Sequence, residues 1–470
     1  MSVPVISLAQ MRDWERITWA AGQTEAEVIR RVGIQVARVA RQMTQSGDKI
    51  LLLAGKGHNG DDVRAAKEHL DDRRMAMIEV MSPATDFPKL ESALARRPAL
   101  IIDGLFGIGL NRPLDQAWVK FIERINQAQL RVLSVDVPSG LNAETGETHG
   151  AAIEASITLT VGAPKQGMLC PDAWPFVGRL EAAADVGLAT CPHGGELQWT
   201  LPEDFSGFPP RRPVAAHKGS FGHLAIVAGS LGYHGAAVLA ARGAQRAQPG
   251  LITLFTHEPV LHPVAAQLQS VMVKPWRPAD GLPGEFSAIL IGPGLAAPDL
   301  PEEIKSMTRR LWWESPQPII VDASALDWLP PEATPRTGLR VITPHPGEAA
   351  RLLKISVQEV QGDRLQAMRE LSRSFGDCWV TLKGHQSLVG RSTGEVFVNP
   401  SGNPHLAQGG SGDVLAGFLA GLLAQPSLQS DACRTLRYAV WQHGAVADAL
   451  QAARKNWIVE ELLAQLGNAF

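Results

Sequence analysis

Short apolar runs that stop at Gly, Asp or Pro recur along this chain, and what separates them has the period of a helix. Ile50-Leu51-Leu52-Leu53-Ala54, Ala99-Leu100-Ile101-Ile102-Asp103 and Val132-Leu133-Ser134-Val135-Asp136 are such runs. Each is short enough for a strand buried on both faces, and a stretch such as Val119-Lys120-Phe121-Ile122 lies between two of them. Strand, loop and helix in alternation predict a parallel α/β sheet with ligands gathered at the carboxyl ends of the strands. Ahead of the first run, Leu8, Met11, Trp14 and Ile17, then Val28, Val32, Val36 and Val39, predict helix over much of 1–48.

The alternation breaks between about Cys191 and Val214, where Cys191-Pro192-His193-Gly194-Gly195 and Gly207-Phe208-Pro209-Pro210-Arg211-Arg212-Pro213 have no periodicity. It then restarts, with candidate strands at 224–228, 251–255, 287–291, 317–321 and 378–382 and helices at 362–375, 412–424 and 433–451. At 470 residues the chain exceeds what one core usually holds. Two tandem α/β domains are therefore expected, residues 1–205 and 206–470.

A formal net charge of −3 and the lack of a basic stripe interleaved with aromatics exclude a nucleic-acid footprint. The cysteines, Cys170, Cys191, Cys378 and Cys433, are far apart, which argues against zinc or a disulfide framework. No secretory signal and no membrane-spanning run is seen, so the expectation is a cytoplasmic protein. The twelve tryptophans, Trp312-Trp313 among them, read as core or interface residues and leave self-association open.

Gly409-Gly410-Ser411-Gly412-Asp413, ahead of a small, apolar run, carries the most specific chemistry. Glycines before a helix leave backbone N–H groups open to an anion. A carboxylate at that spot would repel a phosphate, so Asp413 reads as a base for a hydroxyl that attacks one. Other strand-end loops join it: Gly229-Ser230-Leu231-Gly232-Tyr233-His234-Gly235-Ala236, Ile291-Gly292-Pro293-Gly294, Thr343-Pro344-His345-Pro346-Gly347-Glu348 and Lys383-Gly384-His385-Gln386-Ser387.

In this order, with His217-Lys218-Gly219-Ser220-Phe221-Gly222-His223 before them and Asn399-Pro400-Ser401-Gly402-Asn403-Pro404 leading into the glycine loop, these motifs resemble the ribokinase-like NAD(P)H-hydrate dehydratases over about 214–465. The resemblance implies Asp413 as base. It also implies hydrate contacts from Ala236, Gly294 and His345, and nucleotide contacts from Lys383, Gly384, His385, Gln386, Ser387 and Gly412. ADP with Mg2+ is the implied phosphoryl donor, acting on the C6 hydroxyl of a hydrated NADH or NADPH ring. Ala247-Gln248-Pro249-Gly250 stands where relatives carry a Gly-Ala-Gly turn.

In the first half, Gly55-Lys56-Gly57-His58-Asn59-Gly60-Asp61-Asp62, Asp103-Gly104-Leu105-Phe106-Gly107-Ile108-Gly109-Leu110-Asn111-Arg112-Pro113 and Asp136-Val137-Pro138-Ser139-Gly140 all end strands. Asn59, Asp103 and Ser139 are hard oxygen ligands suited to an alkali or alkaline-earth cation, although turn capping is the competing reading for Asn59 and Ser139. With Thr145-Gly146-Glu147-Thr148-His149-Gly150 and Val161-Gly162-Ala163-Pro164-Lys165-Gln166-Gly167, the set resembles the NAD(P)H-hydrate epimerase domain over about 8–188. This implies K+ at Asn59, Asp103 and Ser139, with hydrate contacts at His58, Asn59, Gly60, Asp61 and Asp62. Gly107, Ile108, Gly109, Leu110, Asn111, Arg112 and Pro113 are the other implied contacts, with Asp136 as acid/base on the substrate.

Relatives carry glycine where this chain has Asp61 and Val63. That predicts strain if the turn needs positive φ, and extra negative charge beside a pyrophosphate. Both halves in one chain match the bifunctional NAD(P)H-hydrate repair enzymes. Two rival readings are a thiazole- or hydroxymethylpyrimidine-type kinase, and a catalytic second half joined to a binding or scaffolding first half.

Overall fold

The computed structural model describes residues 2–277, 282, 284–331, 338–454 and 456–468. The chain divides into two compact units, Ser2–Leu201 and Pro202–Phe470.

The first unit is built on six parallel strands in the order Arg74–Glu79, Lys49–Ala54, Leu100–Gly104, Val132–Val135, Ile157–Val161 and Arg179–Ala183. Side chains of the strand Lys49–Ala54 alternate between two cores. Ile50, Leu52 and Ala54 meet Val32, Val36 and Val39 of the helix Glu25–Met43. Leu51 and Leu53 meet Leu90, Phe121 and Ile125 on the opposite face. A run apolar on both faces is what a strand covered by helices on each side requires. The expected N-terminal helix is two helices, Leu8–Ala20 and Glu25–Met43, parted at Gly22, whose φ of +91° favours glycine.

The second unit orders its strands Val396–Val398, Leu388–Gly390, Trp379–Leu382, Arg340–Ile342, Ile319–Val321, Ala288–Ile291, His223–Val227, Leu251–Thr256 and Met272–Pro275. Seven of these are parallel. Leu388–Gly390 and Val396–Val398 form an antiparallel extension that the alternation does not predict. The α/β class holds in both units, and the predicted strands and helices lie within a residue or two of the observed ones.

The helix Ser411–Leu423 packs against the helix His234–Ala247 with glycines at the points of closest approach. A Cβ on Gly417 would collide with the Ala240 carbonyl, one on Gly243 with that of Val414, and one on Gly421 would stand 2.8 Å from both Ala244 O and Ala247 Cβ. The partners advance together, from Leu239 beside Gly410 to Ala247 beside Gly421. The two helices therefore run parallel. Their N-termini open at one edge of the sheet, where the strand His223–Val227 ends.

Candidate functional site

In the second unit the loops after five parallel strands meet the first turn of the helix Ser411–Leu423. Gly410 caps that helix with φ +93°, and no side chain caps it. Ser411 N–H is taken by the Gln408 carbonyl at 3.3 Å, so the amides facing forward are those of Gly412 and Asp413. Asp413 sits in the first turn, and among the described residues nothing hydrogen-bonds its carboxylate. Burial, then the charge of Asp322, pushes its pKa up to about 7; Lys383 pulls it down and Glu348 raises it again. A carboxyl poised near neutrality and lacking a partner is suited to taking a proton.

Lys383 Nζ donates to Asp322 Oδ1 at 2.8 Å, stands 4.0 Å from Glu348 Oε2, and lies 3.5 Å from where a Cβ on Gly412 would be. Burial lowers the Lys383 pKa, but Asp322, Glu348 and Asp413 together lift it above its usual value. It therefore stays charged. Thr343 Oγ1 donates to the same Asp322 oxygen at 2.7 Å. Behind the glycine loop, His443 Nε2 lies 3.1 Å from Ser411 O, and burial drives its pKa down to about 4.

The other predicted positions fall around this cluster. Gly294 has φ +67°, and a Cβ on it would lie 2.8 Å from Ala236 Cβ, so both belong to one rim. Ser230 Oγ ties that rim by donating to Gly294 O at 2.6 Å and accepting from Ala296 and Ala297 N–H. His345 is a helix cap, because its Nδ1 accepts from Gly347 and Glu348 N–H at 3.0 and 3.3 Å. Only its outer ring edge is left for a ligand. Gly384 and Gln386 have positive φ, Ser387 Oγ donates to Gly384 O at 3.0 Å, and burial lowers the His385 pKa. The Gln386 Nε2 is buried without a partner among the described residues.

The first unit holds a cavity of about 760 Å³. His58, Asn59, Asp62, Gly107, Ile108, Gly109, Leu110, Asn111, Arg112 and Asp136 line it. Gly60, Asp61 and Pro113 do not. Gly60 lies against the Gly55 backbone, where a Cβ would collide. Asp61 Oδ1 instead accepts from Arg64 Nη1 at 2.7 Å, so its charge is paired away from the cavity. The strain predicted at Asp61 and Val63 is absent. Both lie within the helix His58–Lys67 at negative φ, and Val63 is buried beneath Gly104, whose missing Cβ leaves it room.

Asp136 has φ +61° and is locked in place. Its Oδ1 accepts from Lys165 Nζ at 2.5 Å, Val161 N at 3.1 Å and Thr160 Oγ1 at 3.3 Å, and Lys165 is fully buried. The resemblance pointed to the segment around Lys165 but not to this ion pair.

Asn59, Asp103 and Ser139 meet around the Phe106 peptide. Asn59 Nδ2 donates to Phe106 O at 2.9 Å, and Phe106 N donates to Ser139 Oγ at 2.9 Å. Ser139 Oγ donates to Asp103 Oδ1 at 2.6 Å. Burial raises the Asp103 pKa against the hydrogen bonds from Ser139 and Ser134. Asn59 Oδ1 is buried with no partner among the described residues. An orphaned amide oxygen beside a buried carboxylate and a peptide carbonyl fits a hard cation held by oxygen alone. Turn capping explains neither residue: among the described residues the Ser139 hydroxyl bonds only Asp103 and Phe106, far away in the chain, and the Asn59 oxygen is left over.

The model of the NAD(P)H-hydrate dehydratase family matches residues 224–467, and that of the YjeF-related protein N-terminus matches 76–167. A "Bifunctional NAD(P)H-hydrate repair enzyme Nnr" of Coxiella burnetii is 32% identical over 464 residues, covering 93% of each chain. The chain belongs to the bifunctional NAD(P)H-hydrate repair enzyme family. A repair enzyme of the same description from Escherichia coli K12 is 33% identical, over 92% of this chain and 86% of its own. The second unit is also similar to a Bacillus subtilis ADP/ATP-dependent NAD(P)H-hydrate dehydratase co-crystallised with ATP/Mg2+. That match has a TM-score of 0.50 and 31% identity, covering 55% of this chain and 91% of the other. Membership of the repair-enzyme family across both units leaves no place for a stand-alone kinase of the thiazole or hydroxymethylpyrimidine type.

Proposed function

We propose that this chain restores hydrated NADH and NADPH. Its first unit (about 1–205) interconverts the R and S hydrates, and its second (about 206–470) dehydrates the S form at the expense of ADP. The observation that carries the second step is the uncapped, unpartnered Asp413 beside Lys383, with a carboxyl pKa near 7. Asp413 takes the proton of the C6 hydroxyl as its oxygen attacks the terminal phosphorus of ADP, and AMP leaves. Lys383 and the amides of Gly412 and Asp413 hold the transferring group. The ring nitrogen's lone pair then expels phosphate, and loss of a C5 proton restores the reduced ring.

Among the described residues no cluster of three or more His, Cys, Asp or Glu forms a metal cage. This suits a Mg2+ that arrives on the nucleotide, with Asp322 and Glu348 as the nearby carboxylates. Bound there, it would neutralise phosphoryl charge. In the first unit, Asn59, Asp103, Ser139 and the Phe106 carbonyl would hold K+, which would fix the loop that walls the cavity.

The test uses mixed hydrate epimers with ADP, Mg2+ and K+, following the near-ultraviolet absorbance of reduced nicotinamide. Complete recovery supports both activities. Recovery that stops at the S fraction would leave the first unit as a binding module, and none at all would overturn the reading of Asp413.

A further inference from the structure

The cavity of the first unit carries two carboxyl groups held in opposite ways. Asp136 receives an ammonium, an amide and a hydroxyl. Asp62 lines the same wall at 7% exposure, yet among the described residues nothing hydrogen-bonds its side chain. The charges that act on it most are acidic, those of Asp136, Asp61 and Glu15. Glu15 of the helix Leu8–Ala20 and Glu25 of the helix Glu25–Met43 line the cavity, and Asp61 precedes it on its own helix. The cations in the wall are Arg12, Lys56 and Arg112, with His58 a turn before Asp62. None of them pairs with Asp62. Asp61 is paired to Arg64, and Lys165 to Asp136.

We infer that Asp62 is the proton donor of this cavity, working opposite the Asp136 carboxylate to open and reclose the hydrate's hemiaminal ring. The inference rests on epimerisation taking place here. Asp136 accepts the proton of the C6 hydroxyl as the C6–N1 bond breaks and C6=O forms, and Asp62 delivers its proton to N1. The aldehyde turns about C5–C6. N1 then adds to the other face of the carbonyl, returning its proton to Asp62, while the oxygen recovers one from Asp136. No redox partner is needed, and both groups end as they began.

Two groups of one chemical type divide into acid and base when their surroundings push them apart. Burial first, then the charges of Asp136, Asp61 and Glu15, pushes the Asp62 carboxyl well above its usual range, which favours the protonated form that a donor needs. Glu15 is also raised, by burial and then by Asp136, but it is only half-buried and lies on a helix ahead of the sheet in the chain, not at a strand end.

The experiment is epimerisation of the pure R hydrate by the full chain in K+, coupled to its own ADP-dependent dehydration, across pH. Asp62→Asn should lower the epimerisation kcat by about 100-fold, with KM changed by less than about threefold. The wild-type decline at high pH, where Asp62 loses its proton, should vanish with it. Asp62→Glu keeps an acid and should restore that decline, which settles the matter if the Asn variant proves poorly folded. Glu15→Gln removes one of the charges that raise Asp62, so it should keep the alkaline decline but move it to lower pH. An Asp62→Asn chain with near-normal kcat, a loss confined to KM with the pH profile unmoved, or a Glu15→Gln chain that loses the decline would each overturn the assignment. A wild-type chain no faster than spontaneous epimerisation would overturn the epimerase reading itself.

Discussion

Asp413 and Asp136 are the same side chain set at the edge of the same kind of sheet, and the structure treats them differently. Asp413 is left without a hydrogen bond in a helix's first turn, facing Asp322 and Glu348, and its pKa rises to about 7. Asp136 is held at positive φ by a buried lysine, an amide and a hydroxyl. Position at a strand or helix end brings a carboxylate to the ligand. The number of partners it finds there decides whether it stands free in the cleft or is fixed in place as a hydrogen-bond acceptor.

The sharpest way to break this contrast is Asp413→Asn. Dehydration of the S hydrate should fall by about 10³-fold while ADP binding stays close to normal, as measured by turnover and calorimetric titration. The same variant should melt higher at pH 8. Folded Asp413 binds a proton that the unfolded chain has released between about pH 4 and 7, so stability falls as pH rises through that window. Above it the full penalty, at most about 4 kcal/mol, is present, and Asn removes it.

Lys165→Met tests the other side. It leaves Asp136 buried without its cation and should cost the first unit about 3–5 kcal/mol, read from denaturant unfolding. A loss below about 1 kcal/mol would mean that the ion pair is not what holds Asp136.

A finer test is Asp322→Asn, which removes one charge that raises Asp413 and frees Lys383 to act on it. The acid limb of the dehydration profile should move below pH 7 by about one unit, roughly a fivefold gain at pH 6 relative to pH 8. The smallest effect is expected from Asn59→Ala, which deletes the orphaned oxygen. It should raise the K+ concentration needed for half-maximal epimerisation about threefold, with Na+ as the control.

Much of this was legible in the chain itself. Asp103, Asp136 and Asp413 each close an apolar run or open one, and backbone rules place such residues at a ligand-facing edge. Asp322 carries the same signal, at the end of Ile319-Ile320-Val321, yet the chain shows no partner for it. Lys165 was not readable as a site residue, because its contact with Asp136 depends on the strand Ile157–Val161 lying beside Val132–Val135. Asp61 and Val63 would strain a turn over His58–Val63, but the helix begins at His58 and helical backbone suits both, a boundary that glycine-rich sequence does not mark. The edge strands Arg74–Glu79 and Met272–Pro275 are harder to read: Met75-Ala76-Met77-Ile78 is apolar but built largely of Met and Ala, which favour helix, and Met272–Pro275 is interrupted at Lys274.

The close fit of Gly417 and Gly421 against Ala240 and Ala244 has one last consequence. Asp413 and Ala236 ride on two interlocked rods, so neither can slide past the other by a turn. Heating should therefore extinguish dehydration and expose this helix pair to deuterium at one and the same temperature, with no inactive but still protected state in between.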